Sequence, residues 1–231
     1  GLGDVYKRQI TGCTGGTAGG MLVRNQATAS VVGCTFDGNV SNNGPGGLMI
    51  EHSQALVSNC TFENNSGREG GALTVRNQGV PTIQDSTFLN NSAHQGGAVF
   101  LDGGSVTLMG CVLSGNSAAA TGGAVFARNQ VVVSLDRTKV TNNTAPSGGG
   151  VSMDNGVLDA VSSTLATNGE SIFIMNTGSV SLNSSILWDG GTGTSIGFAN
   201  PGNTNGIVGE AEFSIVDSAA VDGLSSDPMF K

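Results

Sequence analysis

The feature that most constrains this chain is a short pattern that returns about every 26 residues. Cys34-Thr35-Phe36 is followed by Asn39, Cys60-Thr61-Phe62 by Asn65, and Ser86-Thr87-Phe88 by Asn91. Cys111-Val112-Leu113 is followed by Asn116, Thr138-Lys139-Val140 by Asn143, and Ser163-Thr164-Leu165 by Asn168. A weaker copy stands at Ser185-Ile186-Leu187. Successive first residues are 26, 26, 25, 27, 25 and 22 apart. A second pattern has the same period: Gly46-Gly47-Leu48, Gly70-Gly71-Ala72, Gly96-Gly97-Ala98, Gly122-Gly123-Ala124 and Gly148-Gly149-Gly150, with Gly19-Gly20 opening the series. Each is followed by a strand-like run such as Val99-Phe100-Leu101.

A period in the mid-twenties also occurs in leucine-rich repeats, but those need a leucine consensus and a helical segment per repeat. These units contain almost no helix-forming stretches. They read strand, turn, strand, turn, with Asn and Gly at corners that need a left-handed backbone. The reading is therefore an all-β, right-handed, single-stranded parallel β-helix (a solenoid) of about eight coils of roughly 26 residues.

Stacked coils lie about 4.8 Å apart, so equal positions form columns that must tolerate their own kind. Cys34, Cys60, Ser86, Cys111 and Thr138 make an inward column of small side chains. Phe36, Phe62, Phe88, Leu113, Val140, Leu165 and Leu187 make an apolar one. Asn39, Asn65, Asn91, Asn116, Asn143 and Asn168 make an amide ladder at a turn, where stacked side chains bond along the column.

Three segments follow. Residues 1–9 contain Asp4-Val5-Tyr6-Lys7-Arg8-Gln9 and the only Tyr. Back-translated as GAT GTG TAT AAG AGA CAG, the hexapeptide matches a transposon mosaic-end adapter. It is read as a sequencing-library scar on a gene cut at its N-terminus, so no signal peptide is expected in view. Residues 10–188 are the regular coils, and 189–231 the irregular last coils and end of the solenoid.

Composition narrows the function. Gly is more than double its ordinary share of about 7%, with 38 residues, while charged residues make up 11% and hydrophobic ones 38%. That profile folds, into many short strands. A net charge of −8 lacks the basic footprint of a nucleic-acid binder, and acid gathers in the last third. No apolar run is long enough for a transmembrane helix. The four cysteines include no C-x-x-C pair, which argues against a zinc ribbon or a thioredoxin-type site. A reduced, buried cysteine stack is expected, with a Cys34–Cys60 bridge as the alternative.

One column carries charge. Read down the coils it is Arg24, Glu51, Arg76, Asp102, Arg128, Asp154 and then Asn176. Arg-Asn-Gln recurs at 24, 76 and 128, which suggests duplication of a two-coil unit. Counted from the Gly-Gly pairs, Arg24 and Glu51 sit one residue early. Alternating signs would fix register, each exposed pair adding about 0–1 kcal/mol. The competing reading is a strip that binds a polar ligand such as a glycan, through Arg76, Asp102, Arg128 and Asp154.

Trp188, with Asp189 beside it, is read either as packing or as an aromatic platform for a sugar. Asp136, Arg137 and Lys139 form one weak local cluster. His52 and His94 fall at different repeat positions and are read as loop residues. No catalytic set, metal site or cofactor emerges. In particular, Asp102–Arg128–Asp154 would keep both acids ionised, which suits a general acid poorly.

The paired motifs resemble the repeats of the chlamydial polymorphic outer membrane proteins. Gly-Gly-Ala stands at 70–72, 96–98 and 122–124, and Phe-x-x-Asn at 36–39, 62–65 and 88–91. Phe213-Ser214-Ile215-Val216 and Ser226-Asp227-Pro228-Met229-Phe230 are similar to the ends of many secreted bacterial β-helix proteins, which finish in an Asp-Pro-Leu-Phe-like element. The resemblance implies a secreted or surface bacterial protein. The expectation is a monomeric adhesion, ligand-binding or spacer module without catalysis, its partners glycans or cell-surface molecules. The alternative is a polysaccharide lyase or glycoside hydrolase whose site lies on missing coils or in the C-terminal region.

Overall fold

A computed structural model describes residues 2–188, 196–199 and 215–216. Every described element is a strand, and every strand pair is parallel. The chain winds through a 14-stranded, a nine-stranded and a five-stranded sheet. The nine-stranded sheet receives one strand per coil and carries the apolar column. Among the described residues no helix is long and apolar enough to cross a membrane.

Register follows the repeat. Thr61-Phe62-Glu63 faces Thr35-Phe36-Asp37 on one side and Thr87-Phe88-Leu89 on the other. The rings of Phe36, Phe62 and Phe88 stack at 4.6 and 4.8 Å between centroids, within 8° of parallel. All three are fully buried, and burial of each such side chain contributes about 1.5–3 kcal/mol. Residues 2–11 continue the stack: Leu2–Tyr6 pairs with Thr28–Val32, and Gln9–Thr11 with Thr35–Asp37.

The ladders hold the coils together. The Nδ2 of Asn65 donates to Asn91 Oδ1 at 3.0 Å and to the Phe36 carbonyl at 2.9 Å. Asn65 Oδ1 in turn accepts from the backbone N and the Nδ2 of Asn39. The same bonds repeat through Asn168, so these buried amides are satisfied. The small column is a second ladder. Cys60 N donates to Ser86 Oγ, Cys111 N to Thr138 Oγ1, Thr138 N to Ser163 Oγ and Ser163 N to Ser185 Oγ. Small polar atoms recur there because each accepts an N–H from the coil before.

The glycine motif makes the corner between the five-stranded and 14-stranded sheets. Gly70, Gly96, Gly122 and Gly148 have φ between 59° and 74°, which favours residues without a Cβ. The next glycine is excluded from change by the neighbouring coil: a Cβ on Gly97 would sit 2.1 Å from the Gly123 carbonyl oxygen. The early frame offset also resolves. Leu48 faces Leu73, so counting back, Gly46-Gly47 lies against Gly71-Ala72. The Gly-Gly pair is displaced there, and the charge column stays in register.

Candidate functional site

One half of the 14-stranded sheet includes Leu48–Glu51, Leu73–Arg76, Val99–Asp102 and the starts of Val125–Asp136 and Val151–Val161. Side chains alternate between faces. Leu73 and Val75 point into the core, which turns Thr74 and Arg76 outward. The register Glu51, Arg76, Asp102, Arg128, Asp154 is unbroken.

The outward column before the charges is Thr74, Phe100, Phe126 and Ser152, and all four are buried. Phe100 and Phe126 lie outside the main core cluster. They form a second layer, with ring centroids 5.6 Å apart. The glycine corner folds the end of the five-stranded sheet over them. Thr74 Oγ1 donates to the Glu69 carbonyl, and Thr121 Oγ1 to Ser152 Oγ at 2.6 Å.

This overlap delivers Glu69, the last residue of strand Ser66–Glu69, to the charge column. Its carboxylate pairs with Arg76 and lies 4.0 Å from Arg128. Arg128 Nη2 lies 2.7 Å from Asp102 Oδ2. The guanidinium carbons of Arg76 and Arg128 lie 5.8 and 5.1 Å from the Phe100 ring centroid, within cation–π range. Two cations, two anions and a ring thus close into a neutral cluster. Burial works to raise the Asp102 carboxyl. Hydrogen bonds from Arg128 and Asn129, with the charges of Arg128 and Arg76, outweigh it and hold the group below its ordinary value. Such a carboxylate accepts hydrogen bonds and has no proton to give near neutrality.

The column therefore works differently from a simple alternating ladder. Among the described residues its one internal ion pair is Asp102–Arg128, while Arg76 turns to Glu69. The other acids are held by amides one coil on: Asn77 Nδ2 donates to Glu51 Oε1 at 2.8 Å, and Asn176 Nδ2 to Asp154 Oδ1 at 2.6 Å. Asn129 does the same for Asp102. This explains Asn in the Arg-Asn-Gln motif. Glu69 was missed in the sequence because it lies on another sheet, at a position occupied by Gln95 and Thr121 in the next coils. Its one signal is that it directly precedes the left-handed Gly70.

The corner beyond the charges alternates too. Asn25-Gln26, Asn77-Gln78 and Asn129-Gln130 are all left-handed pairs, whereas the intervening coils turn on single left-handed residues, His52, Gly103 and Asn155. The register shift shows the extra residue: Arg128 faces Asp154, but Val131 faces Gly156. Gln130 therefore stands out as a bulge. Below it an open groove of about 670 Å³ crosses three coils, lined by Asn129, Gln130, Val132, Asn155, Val157 and Thr177, among others.

Other candidates lie elsewhere. Trp188 is 46% exposed on the outer face of the nine-stranded sheet, beside Ala166, so it does not pack in the core and does not join the charge column. Asp189, the terminal Asp-Pro-Met-Phe element and most of 189–231 lie outside the described residues. Arg137 pairs with its neighbour Asp136 at 3.0 Å on the surface. His52 is a corner residue and His94 lies on the five-stranded sheet. All four cysteines are free, and Cys34, Cys60 and Cys111 are buried. Among the described residues no group of His, Cys, Asp and Glu could hold a metal ion.

A family model described as right handed beta helix region matches residues 3–113. The fold is a right-handed parallel β-helix. The match takes in the first four Gly-Gly corners and the glutamate, arginine and aspartate of the cluster as far as Asp102, while the groove lies on later coils of the β-helix. Comparisons with curated proteins and with solved structures found no match.

Proposed function

We propose that this β-helix is a secreted or cell-surface module for adhesion, ligand binding or spacing, without catalysis. The observation that carries the reading is the closed cluster of Glu69, Arg76, Asp102 and Arg128 around Phe100. The most elaborate group of charges on the outer face balances its charges within itself, although Arg76 Nε and Arg128 Nε are buried without a hydrogen-bond partner, and Asp102 is held ionised. General acid catalysis needs a carboxyl poised to give a proton. These residues instead tie one sheet over another. The recurrence of Gly-Gly-Ala with Phe-x-x-Asn resembles the chlamydial outer-membrane repeats, and that resemblance supports a surface location. Stability summed from coil-to-coil contacts lets outer positions vary for binding.

The test is incubation of the intact chain with neutral and acidic polysaccharides, following both binding and new chain ends. Binding without new reducing or unsaturated ends is the expected result. The steady appearance of either end, abolished by Asp102→Asn, would overturn the non-catalytic reading and place a glycosidase or lyase site in the cluster.

A further inference from the structure

We infer that the groove beneath the Gln130 bulge is a binding site for a neutral, hydroxyl-rich ligand, an oligosaccharide lying along the solenoid axis. The inference rests on the module reading and names the site and ligand class.

The groove exists because two kinds of corner meet. Asn129 and Gln130 use two left-handed residues where Asn155 uses one, so Gln130 overhangs the tighter corners that follow. Three successive coils line the recess, which spans about 10 Å along the axis at the coil spacing.

Its chemistry is uncharged. Amides come from Asn129, Gln130 and Asn155, and hydroxyls from Thr177 and Ser179. Asn129 Nδ2 is committed to Asp102, and Asn155 Oδ1 accepts from the N and Oγ1 of Thr177, so Gln130 is the lining amide with the most capacity to spare. Val132 and Val157 face each other across one coil boundary and are 40% and 39% exposed. Two acids adjoin the lining: Asp154 already accepts from Asn155 and Asn176, and Asp102 from Asn129 and Arg128. An ionised ligand finds no counter-charge in this lining. A sugar offers hydroxyl edges for the amides and C–H faces for the valines. Gln130 is exposed, and among the described residues its side chain makes no hydrogen bond, so its donors and acceptor are open to a ligand.

An extended peptide fits less well. Peptides that dock on sheets recruit unpaired backbone groups at an edge. Here Val131–Asp136 is paired with Gly156–Val161, and that stretch with Gly178–Asn183. The backbone is consumed between coils, and recognition falls to side chains.

The test follows side-chain amide resonances of the full chain during titration with a neutral gluco-oligosaccharide, its uronic-acid counterpart of equal length, and an extended peptide. The neutral sugar should shift the Asn129, Gln130 and Asn155 amides. Gln130→Ala should weaken it severalfold. Val157→Arg, a change at an exposed position, should weaken it at least tenfold while the thermal midpoint stays within a few degrees. Shifts produced by the acidic sugar or the peptide instead would overturn the inference, as would neutral-sugar shifts that map elsewhere or survive both variants. Binding elsewhere leaves the module reading standing, whereas cleavage of the sugar sinks that reading itself.

Discussion

Arg128 and Asp102 meet at 2.7 Å although 26 residues separate them, because the coil period places them on adjacent strands of one outer column. The pair also roofs Phe100, so its worth exceeds that of a free surface ion pair. Arg128→Ala should lower stability by about 1–2 kcal/mol, combining the ion pair and the contact with the ring. The pH dependence has a definite sign. The folded Asp102 carboxyl lies below its ordinary value. Its contribution is therefore complete above the unfolded value of about 3.9 and is lost as pH falls through the folded one. Urea midpoints measured from about pH 7 to pH 3 should show the gap between the native chain and Asp102→Asn closing at the acid end. A gap unchanged across that range would mean that Asp102 is not held by its partners.

The amide ladder predicts a sharp contrast between neighbours. Asn91→Ala removes four buried bonds: Asn65 N loses its acceptor and the Phe62 carbonyl a donor, while Asn65 Nδ2 keeps only the Phe36 carbonyl and Asn116 Oδ1 only the residue 91 N–H. The loss should be on the order of 3 kcal/mol or more. Asn90 is exposed and left-handed, with φ 53°, so Asn90→Gly should be neutral within about 0.5 kcal/mol. Chemical denaturation of the two variants checks this. Equal losses would show that the ladder amides are not the buried network described.

Glycines divide in the same way. A Cβ on Gly97 would meet the Gly123 oxygen at 2.1 Å and the Ser117 oxygen at 2.6 Å. Both are backbone atoms that cannot swing aside, so Gly97→Ala must push neighbouring coils away from each other. A Cβ on Gly103 meets nothing within 4 Å, and only its φ of 67° opposes substitution. Gly103→Ala should cost about 1 kcal/mol. Gly97→Ala should cost several times that and open the amides of Gly96–Val99 to hydrogen exchange. Similar protection in both variants would contradict the close backbone approach.

The fold was legible in the sequence because a solenoid repeats its physics. Each coil restates the same demands, so Phe36, Phe62 and Phe88 or Asn39, Asn65 and Asn91 announce their column without an alignment. The charge column was legible for the same reason, in position but not in partnership. Glu69 reaches Arg76 from another sheet, and contacts between columns leave no period to read. Phe100 reads as one more core residue in Val99-Phe100-Leu101, yet it faces outward beneath two arginines. The groove was hidden as well. It depends on Asn129-Gln130 taking two left-handed turns against one at Asn155, a difference of backbone shape rather than of residue type.

Thiol reactivity tests the small column. Cys34, Cys60 and Cys111 are buried, and Cys13 is partly exposed where it caps the amide ladder, its N–H donating to Asn39 Oδ1. An aromatic disulfide reagent should titrate Cys13 quickly, and the other three only as the chain unfolds. Burial pushes the Cys60 and Cys111 thiols up to about 11. A raised folded value contributes stability that is complete below the unfolded thiol value of about 8.5 and fades as pH climbs toward 11. Stability should therefore decline across that alkaline window. The Cys60→Ser, Cys111→Ser double variant should decline less, since Ser86 already fills the same column with a hydroxyl that bonds to Cys60 N. Rapid modification of all four thiols in the folded chain, or an identical alkaline decline in the variant, would show that the sulfurs are not sealed between the coils.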